Sequence, residues 1–139
     1  DTLESLQMMD TSPNGRIYSD TINIGKGQIG LGVPVYFFFN LNSVVLVDKS
    51  QLVNLDEIAT IAIQQGYDVT ISGAADSATG TEAINNNLSK RRADYIVDEL
   101  VKRGLKKERL HGYSYGGISK YESNEANRFT IVTLTSINH

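Results

Sequence analysis

Apolar and polar residues follow two periods along this chain, and the changes of period divide it into predicted strands and helices. Short runs that alternate, or that are rich in β-branched and aromatic residues, are typical of strands. Apolar residues that recur every three to four positions are typical of an amphipathic helix. The predicted strands are 33–39, 68–73, 110–115 and 128–134, and the predicted helices are 48–66 and 81–103.

Both predicted helices have residues that favour a defined start or end. Asp48 and Gln51 have the spacing of a capping box, in which each side chain reaches a backbone N–H of the first turn. Gly66 and Gly104 follow the last apolar positions, where glycine readily adopts the left-handed conformation that ends a helix. A loop at 74–80 is predicted to connect the second strand to the second helix.

The order of predicted elements is strand, helix, strand, helix, strand, strand. Right-handed strand–helix–strand steps place two helices on one face of a small mixed sheet, and the last two strands are expected to pair as an antiparallel hairpin. We therefore predict an α+β domain of βαβαββ type in residues 33–139. Residues 1–32 lack sustained periodicity, so we interpret them as an extension or linker with short strands, such as 22–24.

Composition and charge exclude several functions. The 139 residues have room for one core, and 13 basic against 16 acidic residues argue against nucleic acid as a partner. There is no cysteine, and the two histidines, His111 and His139, form no metal-binding pair, so we expect no metal or cofactor. No apolar run is long enough to cross a bilayer. We expect any membrane attachment to use segments absent from this sequence.

One arginine interrupts an apolar line on the second predicted helix. Every fourth residue shares one helix face, and this line reads Ile84, Leu88, Arg92, Ile96, Leu100. A guanidinium that points towards a core needs a partner, and Asp76 in the preceding loop is the natural candidate. A structural ion pair and an arginine whose head reaches water remain alternatives to a ligand site.

The order of these residues resembles that of the OmpA-like peptidoglycan-associated domain. The resemblance extends from about residue 33 to the end and rests on 35–40, Gly73 with Asp76, Asn85, Leu88-Ser89 with Arg92-Ala93, Gly104-Leu105 and Asn127-Arg128. It implies noncovalent binding of the peptidoglycan stem peptide in the periplasm, by a protein attached to the outer membrane. The family includes outer-membrane proteins, lipoproteins and flagellar stator subunits.

The resemblance also implies roles for individual residues. Asp76 would bind the ammonium of meso-diaminopimelate, and the planar fork of Arg92 would bind the carboxylate on the same carbon. Asn40 and Asn85 would line the same groove, with turn or capping roles as the alternative. The binding residues implied are Asp76, Arg92, Asn40, Asn85, Ala74 and Ala75, and those implied for structural support are Gly73, Leu88, Asn127 and Arg128.

This sequence departs from the family pattern at two places. Ala74 and Ala75 stand where the family usually has an aromatic residue or histidine followed by threonine, so only their backbone is left to contact a ligand. Phe129 replaces the second arginine of the usual ending, and we assign Arg128 a structural role. We expect cell-wall recognition to persist with altered affinity. A scaffold that has kept the fold without binding is the alternative.

Two other functional classes are compatible with the sequence. Asp76 with Asp68 or Glu82 could form a glycosidase pair, but acids in loops and at helix starts are commonly solvated or capping, so we predict no enzyme. A protein–protein interaction module is the other class. In it, the extension would supply an edge strand or a homodimer contact through Ile22, Ile24, Ile29 and Leu31.

Overall fold

The computed structural model describes residues 29–136, in which two α-helices cover one face of a mixed four-stranded sheet. The strands are β1 (Val35–Phe38), β2 (Asp68–Asp76), β3 (Leu110–Ile118) and β4 (Phe129–Thr135). The helices are α1 (Leu52–Gln65) and α2 (Glu82–Lys102), and short 3-10 helices occupy Lys49–Gln51, Lys107–Arg109 and Asn124–Asn127. The predicted α+β fold is confirmed.

The last strand lies inside the sheet, whose order is β1-β4-β2-β3. β4 pairs antiparallel with both neighbours, so that Val132 faces Val35 on one side and Ile71 on the other. β3 pairs in parallel with β2. The predicted hairpin of the last two strands is therefore wrong. β4 alternates buried apolar residues and suits the middle of the sheet, whereas β3 is rich in glycine and tyrosine, is mostly exposed and suits an edge.

The hydrophobic core lies between the sheet and the helices. The predicted apolar stripe of α1 is buried there at Leu55, Ile58, Ala59 and Ala62. The other contributors include Phe37, Val69, Ile71, Ile96, Leu100, Val132 and Leu134. Because a fully buried Leu, Ile or Phe side chain contributes about 1.5–3 kcal/mol, this layer supplies the main stabilising free energy of the fold.

The start of α1 differs in one respect from the predicted capping box. The Asp48 Oδ1 accepts from the Ser50 N–H at 2.9 Å, as a cap should. The Gln51 side chain instead donates to the Tyr36 carbonyl at 3.1 Å and accepts from the Phe38 N–H at 3.3 Å. Its amide thus pairs with the edge of β1 that β4 leaves open, which protects that edge from other strands.

Two strands run further than predicted. β2 continues through Asp76, so the predicted loop at 74–80 begins only at Ser77, and β3 continues to Ile118. The register between these strands shifts after Gly73, where two residues of β3 oppose Ala74. Gly116 is one of the two, and its φ of 73° is the left-handed conformation that such an irregularity favours.

The chain enters the described part beside the end of β4. Ile29 is buried in the core, so its side chain does not form the dimer contact considered for it. Leu31 is half-exposed and forms a single parallel bridge with Leu134. The strand predicted at 22–24 lies outside the described residues. No helix within residues 29–136 is long and apolar enough to cross a membrane.

Candidate functional site

A close approach of α2 to β2 sets the position of the predicted site. A Cβ on Gly73 would lie 2.0 Å from the backbone oxygen of Ser89 and 2.9 Å from the backbone nitrogen of Ala93. Only glycine leaves room for this contact. The packing holds Arg92, which immediately precedes Ala93, next to the end of β2.

The Arg92 side chain is fully buried and bonds to three backbone carbonyls. Its Nε donates to Ser43 at 3.0 Å, its Nη1 to Ala74 at 2.9 Å and its Nη2 to Asn40 at 3.0 Å. Its guanidinium carbon also lies 5.3 Å from the centre of the Phe39 ring, within the range of a cation–π contact. Arg92 therefore connects α2 to β2 and to the loop after β1.

Charged neighbours act on Arg92 as well. Burial, followed by repulsion from Arg128, lowers the pKa of Arg92 to about 10. The nearby Asp76 carboxylate works in the opposite direction, and Arg91 adds a smaller lowering of this pKa. The guanidinium still carries its charge at neutral pH.

Asp76 is paired with a different arginine from the one expected. Its Oδ2 accepts from the Arg128 Nη2 at 3.2 Å, and its Oδ1 accepts from the Ala78 N–H at 2.9 Å. The expected ion pair with Arg92 does not occur among residues 29–136, so that prediction is wrong. The reason is the position of β4, since its antiparallel pairing with β2 brings Arg128 to the end of β2.

The two predicted groove asparagines differ in exposure. Asn85 is buried, and its Nδ2 donates to the Thr79 carbonyl at 2.9 Å, which holds the turn before α2. Asn40 has an exposed side chain, while its backbone carbonyl accepts from Arg92. The turn-forming alternative therefore describes the contacts of Asn85, and the Asn40 side chain remains open to solvent.

The remaining predicted residues support the site from inside. The side chains of Ala74 and Ala75 are fully buried. Asn127 accepts from the Tyr121 N–H at 2.9 Å and donates to the Tyr121 carbonyl at 3.0 Å, which closes the turn before β4. Leu88 is also buried and lies at the base of an open cavity.

That cavity, which we call the α2 cavity, has a volume of about 540 Å³ and lies along the first turns of α2. Its lining residues are Asn42, Gly80, Ala83, Ile84, Asn87, Leu88 and Arg91. Sequence reasoning identified only Leu88 among them as a site residue. The helix period carried a signal for three of the others, because positions 84, 87 and 91 share the face of α2 that holds Leu88.

Asn42 comes to the cavity from the loop that Arg92 holds. Its φ of 52° lies in the left-handed region, which asparagine tolerates better than most residues. Residues 29–136 contain no cluster of three or more acidic, histidine or cysteine side chains suited to a metal ion.

Comparison with known proteins identifies the family. Residues 38–128, more than half of the chain, match the OmpA family. The chain belongs to the OmpA family. It is 34% identical over 98 residues to outer membrane protein 40 of Porphyromonas gingivalis, which covers 69% of this chain and 25% of that protein. The chain thus spans about a quarter of the length of the curated relatives it matches.

Solved structures share the fold of this OmpA-family domain. The peptidoglycan-associated lipoprotein of Burkholderia pseudomallei matches with a TM-score of 0.61 and 21% identity, over 72% of this chain and 89% of that one. The periplasmic domain of Helicobacter pylori MotB matches with a TM-score of 0.59 and 21% identity, over 81% of each chain. All the predicted site residues, from Asn40 to Arg128, lie within the OmpA-family segment.

Proposed function

We propose that this domain binds peptidoglycan noncovalently through its stem peptide and so attaches an envelope protein to the cell wall. Family membership supports the proposal, as do relatives named as an outer membrane protein and a peptidoglycan-associated lipoprotein. The observation that carries it is electrostatic. Arg92 is acted on by two further cations, Arg128 and Arg91, and by one carboxylate, Asp76, which pairs with Arg128. Arg91 also lines the open α2 cavity, so the site suits a ligand with more negative than positive groups.

In this proposal the ligand group at the centre of the site is the amino-acid end of diaminopimelate. Asp76 accepts from its ammonium, and Arg92 donates to its carboxylate. Three of the five N–H donors of Arg92 bond to carbonyls, so two have no partner among the described residues. Both side chains are covered, with Asp76 3% exposed and Arg92 0% exposed. The proposal therefore includes a shift of the loop at 40–43, whose carbonyls at Asn40 and Ser43 hold Arg92, when the ligand enters.

In this proposal, Ala74 and Ala75 contribute fewer ligand contacts than the larger side chains usual in the family would contribute. The Ala74 carbonyl holds Arg92, and both methyl groups are buried, so neither side chain adds a contact to the ligand. The exposed side chain of Asn40 lies on the loop that must shift and is the more accessible of the two groove asparagines. The proposed location is the periplasm, with attachment to the outer membrane through other parts of the full-length protein.

Co-sedimentation with purified sacculi tests the proposal. The wild type should pellet with sacculi. Asp76→Asn should lose most of this retention, because the ligand ammonium loses its counter-charge. The expected loss of binding free energy is about 2–5 kcal/mol. Asp98→Asn is the matched control, since Asp98 is an exposed acid of α2 outside the α2 cavity. A folded wild type that stays in the supernatant would contradict the proposal.

One structural observation favours a second candidate, a module that keeps the fold without binding the cell wall. Asp76 is already paired with Arg128, and Arg92 already donates to three backbone carbonyls. Groups with a purely structural role would have such partners. In that case neither the wild type nor Asp76→Asn would be retained by sacculi.

The geometry gives no support to glycoside hydrolysis by the pair Asp68 and Asp76. Asp68 and Asp76 begin and end β2, so at about 3.3 Å per residue they stand roughly 26 Å apart. The paired carboxylates of glycosidases lie about 5–10 Å apart. We therefore propose a binding role without catalysis.

A further inference from the structure

Arg91 differs from the other arginines of the described residues in having no partner. Arg103 and Arg109 are paired with Asp56 and Asp68, and the two arginines at the site bond as described above. No ion pair or hydrogen bond within residues 29–136 involves the Arg91 side chain, which is exposed and lines the α2 cavity. Its five N–H donors are therefore available to a ligand.

The chemistry of the α2 cavity suits a carboxylate attached to a short aliphatic residue. Ala83, Ile84 and Leu88 give it an apolar base on one side of the helix. Asn87 and Asn42 place amide groups around that base, from α2 and from the loop opposite. A guanidinium beside amide groups is a good receptor for a carboxylate, because it offers charge and paired donors together.

The charge around Arg92, the residue next to Arg91 in the sequence, is unbalanced in the same direction. Arg91 and Arg128 both disfavour the charged form of Arg92, and Asp76 alone among the neighbouring groups favours it. If the diaminopimelate end, which carries one charge of each sign, occupies Asp76 and Arg92, this excess positive charge remains. A second carboxylate on the same ligand would neutralise part of it.

We propose that the α2 cavity is a subsite for a second carboxylate of the stem peptide, with Arg91 as its anchor. The inference rests on the proposed function. A stem peptide supplies such a group beside diaminopimelate, because its glutamyl residue is linked through the γ-carboxyl and carries an α-carboxyl that is either free or amidated. The subsite accordingly selects stem peptides whose glutamyl α-carboxyl is free.

Calorimetric titration with two synthetic tripeptides of alanine, γ-linked glutamate and diaminopimelate, one with the glutamyl α-carboxyl free and one with it amidated, tests the subsite. The wild type should bind the free form about tenfold more tightly, the effect of one charge-assisted contact. Arg91→Gln should lose this preference and bind the amidated form as the wild type does. Lys106→Gln, which removes an exposed charge outside the cavity, should keep the preference.

The outcomes separate the two proposals. Equal binding of both peptides by the wild type, or an undiminished preference in Arg91→Gln, would overturn the subsite and leave the proposed function standing. Binding of neither peptide by the folded wild type would overturn both. Because the Arg91 side chain is exposed and forms no ion pair or hydrogen bond within residues 29–136, the variant should fold as the wild type does, and its thermal unfolding checks this.

Discussion

Arg92 is the residue on which the architecture of the site depends most. A fully buried guanidinium loses its hydration, and here three backbone carbonyls and an aromatic ring replace the lost water contacts. The acceptors belong to the loop after β1 and to the end of β2. The loop that carries Asn42 to the α2 cavity is therefore held in place from inside the fold.

Replacement of Arg92 by methionine should destabilise the fold strongly. The side chain would still fill the space, but the carbonyls of Asn40, Ser43 and Ala74 would lose their charged donor, at a cost of about 3–5 kcal/mol. Arg92→Lys should recover only part of this, since an ammonium does not reproduce the guanidinium fork. Urea unfolding measures both, with Arg91→Met as the exposed control. Equal stability of Arg92→Met and wild type would contradict this role.

Gly73 should tolerate no side chain. Gly73→Ala would push a methyl group into the backbone of α2 at Ser89, and we expect a loss of at least about 3 kcal/mol, the upper end for overpacked cores. Gly30→Ala is the matched control, because no heavy atom lies within 4 Å of the added Cβ. Its unfolding free energy should change by less than about 0.5 kcal/mol. A mild effect at Gly73 would show that α2 can move away from β2.

At the residue scale, sequence period predicted the direction of Arg92 but not its partners. The position of Arg92 on an apolar line of the helix was enough to predict that its side chain points inwards. Its acceptors, however, are backbone groups 49 and 52 residues away at Ser43 and Asn40, and backbone carbonyls leave no mark in side-chain patterns. The cavity residues of α2 were accessible to the same helix period, but the sequence pattern led to a site assignment only for Leu88.

At the scale of elements, a polar cluster ties the first residues of β2 and β3 together, at the opposite end of the sheet from the site. Asp68 accepts from the Arg109 Nε at 2.5 Å and contacts the His111 Nε2 at 2.7 Å. Burial acts to raise the pKa of Asp68, but the hydrogen bonds to His111 and Arg109 outweigh it and hold this pKa below its usual value. The cluster therefore stabilises the β2–β3 pairing while Asp68 is ionised.

This cluster should contribute to acid unfolding. Because the folded pKa of Asp68 is lowered, its contribution to stability is complete above the unfolded value of about 3.9 and is lost as pH falls through the folded pKa. Asp68→Asn should therefore be less stable than wild type at pH 6 and should lose less stability between pH 5 and pH 2. Urea unfolding at a series of pH values measures this, with Asp98→Asn as control. If wild type and Asp68→Asn lost the same unfolding free energy between pH 5 and pH 2, the assignment would be refuted.

Element types and most helix ends were predictable because local signals set them. Gly66 and Gly104 end the helices with φ of 71° and 103°, and Asp48 caps the first. Strand pairing was not predictable from local signals. Neighbouring segments such as 110–115 and 128–134 pair or separate according to which strand buries more apolar surface. The insertion of β4 between β1 and β2 also brought Arg128 to Asp76, so the error in topology and the error in the ion pair have one cause.

For the whole molecule, we expect residues 29–136 to fold when residues 1–28 are removed, since they enclose a hydrophobic core between the sheet and the helices. Light scattering of a chain that starts at Ile29 tests the alternative role of the extension as a dimer contact. A fall from two chains per particle to one, with sacculus retention intact, would support that role. An unchanged number of chains per particle would contradict it.

The central claim, that this OmpA-family domain binds the stem peptide of peptidoglycan, is tested most directly by calorimetric titration of the folded wild type with the diaminopimelate-containing tripeptide. We predict saturable binding of one peptide per domain. The absence of saturable heat, from protein whose circular dichroism and cooperative unfolding show that it is folded, would contradict the claim.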